Sequence, residues 1–382
     1  MKFQYAPGAA FAAALLLASP AARAAPAGDA QPAPASPANP PAAAPDASPN
    51  DTGSHDPEVI QANGLIRANK FAEAKQLMTA HLAKNPNDKD AQAVLGVADA
   101  YSGDFNGAMA AFDAAGNIPA AFRPAAAKAY SDATVEAFKT HSVVKEVELS
   151  TMALAFEESV DTLYLQGTAF GNVPNYPAAI ADLQKAKAMA ASAAKPDPAT
   201  VNAIDASLVT SLILGGQADQ GLALARDFQK RNPTSDRLDA VLAAYYIQQA
   251  NGAMRSGDRA QATASLDAGA AAAPSRAVDL YMRAAGLWSV GQPLDWEKVG
   301  AEARKALVVN AADPYANYVV GVAETNLGRR DAAMPFLNRA NANVRGNPRL
   351  QSDIDAALKK ASEPAPTPTS SGAPPAAPRK TP

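Results

Sequence analysis

Catalysis and metal binding draw on a short menu of side chains. The 382-residue chain has three histidines, His55, His81 and His141, and no cysteine. No His-x-x-x-His pair occurs, which removes the usual helical zinc constellation. Thiolate nucleophiles are excluded, and neither a Gly-x-x-x-x-Gly-Lys phosphate loop nor a Gly-x-Ser-x-Gly elbow is present. The nearest approach to paired carboxylates is Glu146 with Glu148 and Glu157 with Glu158. Adjacent helical residues diverge by about 100°, so these pairs read as solvated faces. No set offers nucleophile, base and orienter together. The expectation is a non-enzymatic chain without cofactor or metal.

The elements that position these residues are helices. Thirty-four residues separate Phe71 from Phe105, Ala74 from Ala108 and Met78 from Phe112. Bulky and small residues at one fixed offset mark a repeated helix-turn-helix unit. Two antiparallel helices pack about 8–10 Å apart, and small side chains such as Gly96, Ala108 and Ala115 permit the close end of that range. Leu95, Phe105 and Phe112 fill the space beside them. Gly103 and Asp104 fall at the turn, where glycine takes a positive φ at low cost. Residues 85–88, Asn-Pro-Asn-Asp, stop one unit and cap the next.

On these residues the stretch 85–119 resembles the tetratricopeptide repeat (TPR) family. The resemblance extends over roughly residues 56–345, clearly so at Gly167, Tyr176, Ala179, Leu183 and Ala186. It is strong again at Val320, Gly321, Gly328, Ala333, Leu337 and Ala340. It implies an all-α fold, an α-solenoid superhelix of about seven to eight stacked hairpins. Residues 171–175 are assigned to a turn. Residues 121–158 keep helical spacing, lose most of the family pattern and read as a divergent hairpin. The pair 236–273 has a longer first helix, expected to kink or bulge. The next pair inserts residues around Gln292 and Pro293 before Trp296. Residues 347–362 read as a polar closing helix, which an array needs at its end.

Residues 1–24 carry the pattern of a secretory signal peptide: Lys2, an apolar core over 9–18, and Ala22-Arg23-Ala24 as cleavage site. Residues 25–55 and 363–382 are rich in Pro and Ala and poor in large apolar groups, so disordered arms are expected. The solenoid is therefore assigned to 56–362, and the location to the bacterial periplasm. The formal net charge is -3, without the clustered Lys/Arg that nucleic acid demands. No apolar run after residue 24 is long enough to span a membrane.

In the family, first helices line a groove that holds partners. Carried onto this sequence, the groove positions are Tyr101, Tyr164, Asn172, Asn251, Met254, Arg255, Tyr281, Trp288, Tyr315, Tyr318 and Asn326. Aromatic rings beside Asn and Arg suit a binding surface, although helical spacing equally suits core residues. A groove lysine set of the kind that holds a terminal carboxylate is lacking. The resemblance implies a protein-interaction scaffold that binds a peptide or helix of an envelope-assembly partner. The alternative is a structural spacer acting through its arms. Oligomeric state is left open.

Overall fold

The computed structural model describes residues 54–116, 118–290 and 294–363. The expected signal peptide, almost all of the two expected arms, and Gln292 and Pro293 lie outside the described residues.

All regular structure among the described residues is helical. The chain runs α1 (Pro57–Arg67), α2 (Phe71–Lys84), α3 (Lys89–Tyr101), α4 (Phe105–Ala115), α5 (Arg123–Lys139), α6 (Val143–Phe156), α7 (Val160–Asn172) and α8 (Tyr176–Ser192). It continues with α9 (Pro198–Leu214), α10 (Ala218–Arg231), α11 (Asp239–Arg255), α12 (Arg259–Ala272), α13 (Ala277–Trp288) and α14 (Trp296–Val309). It ends with α15 (Pro314–Asn326), α16 (Arg330–Asn343) and α17 (Pro348–Ser362). Two compact units divide at Leu238 and Asp239, the first holding α1 to α10 and the second α11 to α17.

Most hairpins are closed by the same turn, the α13–α14 pair excepted. The N–H of Lys70, Asp104, Ser142, Gln217, Asp258 and Arg329 reaches back to the carbonyl five residues earlier. This is the helix-ending bond that needs one left-handed residue just before the donor. Gly103 and Gly328 supply it at φ +79 each, while Asn69 and His141 supply it without being glycine. Several helices start on an aspartate cap. Asp88, Asp104, Asp258, Asp295 and Asp313 each accept a backbone N–H of the first turn.

The packing of one hairpin repeats at an offset of sixteen. A Cβ on Gly96 would sit 2.5 Å from the Phe112 ring, one on Gly167 2.7 Å from Leu183, and one on Gly321 2.5 Å from Leu337. The glycine is thus the floor on which the bulky residue of the second helix lies. Ala250 and Leu266, both buried, hold the same two positions in the first hairpin of the second unit.

In the first unit, consecutive helices pack in pairs, α1 on α2 through α9 on α10. First helices also pack on one another, α1 on α3, α3 on α5, α5 on α7 and α7 on α9. No second helix packs comparably on the next second helix among the described residues. First helices therefore form the tighter, inner side of that stack. In the second unit α11 to α17 pack each on the next, and α17 also covers α15.

Residues 121–158 form the hairpin expected of them, α5 on α6, despite the lost pattern. Two expectations are corrected. The helix after Asp236 begins at Asp239 and is a continuous 17 residues, the same length as α9. Gly171 and Asn172, assigned to a turn, close α7 instead.

Candidate interaction face

The groove positions fall into three groups once side chains are placed. The first group is half-buried aromatic. Tyr101, last residue of α3, stacks flat on Phe71 with centroids 4.6 Å apart. It borders a cavity of about 400 Å³ between the α3–α4 turn and the α5–α6 hairpin, floored by Ala129, Ala133, Ala137 and Leu149. Burial pushes its phenol pKa up. Tyr164 packs at the edge of the core formed by α7, α8 and α9. Tyr281 and Tyr315 lie half-buried against the core of the second unit, and Lys305 Nζ stands 5.8 Å from the Tyr281 ring centre.

Trp288 is held on several sides. Its indole Nε1 donates to Thr263 Oγ1 at 3.0 Å. Lys298 Nζ lies 3.7 Å from the ring centre, and the Arg259 guanidinium lies 5.1 Å from it. An aromatic face covered by cations on neighbouring helices is a stabilised surface residue.

The second group is polar. Asn251 and Arg255 are exposed on α11, with Met254 half-buried between them. Asn326 is exposed, but its amide is engaged. Nδ2 donates to the Val322 carbonyl, and Oδ1 accepts from Lys360 of α17 at 3.1 Å. Asn172 donates through Nδ2 to Glu146 Oε2 at 2.7 Å.

The third group is core. Tyr318 is 8% exposed and belongs to the apolar cluster of the second unit, so it is not available to a partner. Helical spacing does not tell a groove residue from one pointing between hairpins.

The carboxylates divide as well. Glu148, Glu157 and Glu158 are exposed, as solvated faces should be. Glu146 is not, being 1% exposed and satisfied by Asn172 from the next hairpin. Sequence reasoning also passed over a set of buried charges between hairpins. Asp99 of α3 pairs with Lys75 of α2 at 2.6 Å. Asp205 of α9, 1% exposed, pairs with Lys187 of α8 and Arg231 of α10. Glu324 of α15 pairs with Arg304 of α14. In each case an acid on a first helix is met by a base from a neighbouring second helix. The only sign in the sequence is an isolated acid on an apolar helix.

The histidines settle simply. His55 precedes α1 and is exposed, and His141 is exposed at the left-handed turn between α5 and α6. His81 is buried, with carboxylates of Asp56, Glu58 and Asp88 around it. Oxygen and nitrogen donors of Asp56, His81 and Asp88 gather within 4.8 Å of one another. A metal ligand needs a free lone pair, however, and both ring nitrogens here stand at hydrogen-bond distance from carboxylates, as proton donors do.

No family model and no curated protein matches the sequence. Solved structures of low identity do match. A tetratricopeptide repeat protein from Parabacteroides merdae is 12% identical, with 80% of this chain and 97% of that chain covered and a TM-score of 0.32. A TPR protein of Thermus thermophilus is 17% identical over 53% of this chain and 100% of that chain, at a TM-score of 0.25. The TPR2AB domain of yeast Sti1 is 16% identical over 62% of this chain and 98% of that chain, at a TM-score of 0.28. The assignment to TPR-type hairpins rests on the chain's own 34-residue period and its sixteen-residue packing offset.

Proposed function

We propose that the chain is a non-enzymatic interaction scaffold whose first helices hold an extended or helical segment of a partner protein. One observation carries the reading. In the first unit the first helices pack side by side on the inner face of the stack, and α3 and α7 place Tyr101 and Tyr164 half-buried on them. Half-buried aromatics offer large contact area with few rotors to freeze, the property of binding hot spots. In the second unit Tyr281 and Tyr315 are likewise half-buried on α13 and α15, and Asn251 and Arg255 are exposed on α11.

The proposal includes export. Lys2, the apolar stretch over 9–18 and Ala22-Arg23-Ala24 support a cleaved signal and hence a periplasmic scaffold serving envelope assembly. No described helix is long and apolar enough to cross a membrane.

Photo-crosslinking in cells tests the interaction. A photoreactive residue at position 101, 164 or 281 is expected to capture one common protein, while the same probe at Met109, exposed on the second helix α4, does not. Equal capture from position 109 rejects the inner-face reading. Export is tested separately by sequencing the mature N-terminus from a periplasmic fraction, where Ala25 is expected to come first.

A further inference from the structure

His81 lies in the last turn of α2 and is 2% exposed. Its Nδ1 is 2.8 Å from Glu58 Oε2 and 3.9 Å from Asp56 Oδ1, both at the start of α1. Its Nε2 is 2.9 Å from Asp88 Oδ2, the cap of α3. An ionised carboxylate only accepts hydrogen bonds, so a nitrogen facing one must carry a proton. With both nitrogens so placed, the geometry points to an imidazolium. The same acids serve the backbone. Asp88 Oδ1 accepts the Ala91 N–H at 3.0 Å, and Asp56 Oδ1 accepts the Glu58 N–H at 2.8 Å. One buried cation therefore joins the end of α2 to the caps of α1 and α3.

We propose that His81 is a protonation-dependent clamp that fastens the first hairpin to the second and releases it when the ring loses its proton. Without that proton, Glu58 and Asp88 flank a neutral ring that can donate to only one of them. The other carboxylate then loses its charged partner, and the buried ring nitrogen that faces it has no proton to give.

The groups that face the ring support a retained charge. From α1 come Asp56 and Glu58. From α3 comes Asp88, with Asp90 beyond it, whose pKa burial and the Asp88 charge push up. One group opposes it: the Asn85 amide nitrogen, also a donor, lies 3.4 Å from Nε2, farther than Asp88 Oδ2 at 2.9 Å. The hydrogen bond to Glu58 raises the His81 pKa above its ordinary 6.5, burial opposes this, and the bond to Asp88 adds to it. Burial pushes the Asp88 pKa up, but the Ala91 N–H and His81 more than offset it and hold it below its ordinary 3.8.

The raised His81 pKa fixes the sign. The clamp's contribution is complete below the ordinary imidazole value and is lost as pH rises through the folded-state value. Asp88 bounds the acid side, since its contribution is complete above the ordinary carboxylate value and fades as pH falls through its depressed folded value. The first hairpin is therefore held best at mildly acidic to neutral pH and loosens in alkali.

The three histidines make the test direct. In the full chain, His55→Gln and His141→Asn leave His81 as the sole imidazole, with Asn suited to the left-handed turn. NMR titration of that ring is expected to give a pKa above the ordinary value, lowered by Glu58→Gln and, independently, by Asp88→Asn. Amide exchange across α1 and α2, corrected for intrinsic chemistry, is expected to quicken between pH 6 and 9, by about tenfold per pKa unit of upward shift. In His81→Gln that pH response is expected to vanish. A ring titrating at or below the ordinary value overturns the clamp. So does exchange that stays flat with pH in the wild-type chain. Stoichiometric Zn²⁺ binding that protects the hairpin at pH 9 also overturns it, by making the cluster a metal site.

Discussion

Gly96, Gly167 and Gly321 are packing residues. Each leaves room for a Phe or Leu sixteen positions on, and their side-chain-free surface is what a hairpin needs at that contact. Gly96→Leu should cost about 1–3 kcal/mol through overpacking. Phe112→Ala should cost about 3–5 kcal/mol by emptying the same contact from the other side. Urea melts measure both, and wild-type midpoints for the pair would remove the assignment. Asp182 offers a pH-dependent case. Burial raises its carboxyl pKa to about 6, so its ionised form is disfavoured in the fold. The folded state therefore binds more protons than the unfolded one between the ordinary value near 3.8 and about 6, and stability falls as pH rises through that window. Asp182→Asn should stabilise the chain at pH 8 and leave it unchanged at pH 3, as thermal melts at the two pH values would show. The glycine-to-bulky spacing was legible in the sequence. The burial of Glu146 and Tyr318 was not, because packing between helices creates it.

Turns and caps set the helices. Gly328 sits at φ +79 with open space around its missing Cβ, whereas Gly286 sits inside α13, also with nothing within 4 Å. The two should respond to alanine with opposite signs. Gly328→Ala places a Cβ in the left-handed region and should cost about 1–2 kcal/mol. Gly286→Ala removes unfolded-chain freedom and should gain about 0.8–1 kcal/mol. Chemical denaturation of the two variants checks the pair, and a shared sign would show that φ does not govern these sites. Element type and most boundaries were readable because Asn-Pro, Gly-Asp and Asp-Pro steps punctuate the chain locally. The end of α7 was misread because Asn172 is held in the helix by its bond to Glu146, a residue 26 positions away.

Across each unit, stability should behave as a chain of neighbours, since helices pack on those next to them in sequence. Ile354 of α17 is fully buried in the core of the second unit. Ile354→Ala should cost about 2–5 kcal/mol. The loss should fall on α15 to α17, with α11 and α12 keeping their amide protection in hydrogen exchange. Uniform loss across the second unit would mean a cooperative globule in place of a stack.

The 34-residue period by itself determined that this chain folds as paired helices, because a hairpin's packing is set by residues sixteen apart and its turn by one or two more. Those are short-range facts, carried in residue type and spacing. Which rings face a partner and which acids are buried was decided only when hairpins met. A side chain leaving a first helix can point inward, or between neighbours, at nearly the same angular position. The difference depends on how closely the next hairpin approaches, as Tyr101 beside its cavity and Tyr318 inside the core show. The His81 clamp is the clearest instance: its three acids come from two other helices, and nothing near His81 in sequence but Asp88 announces it.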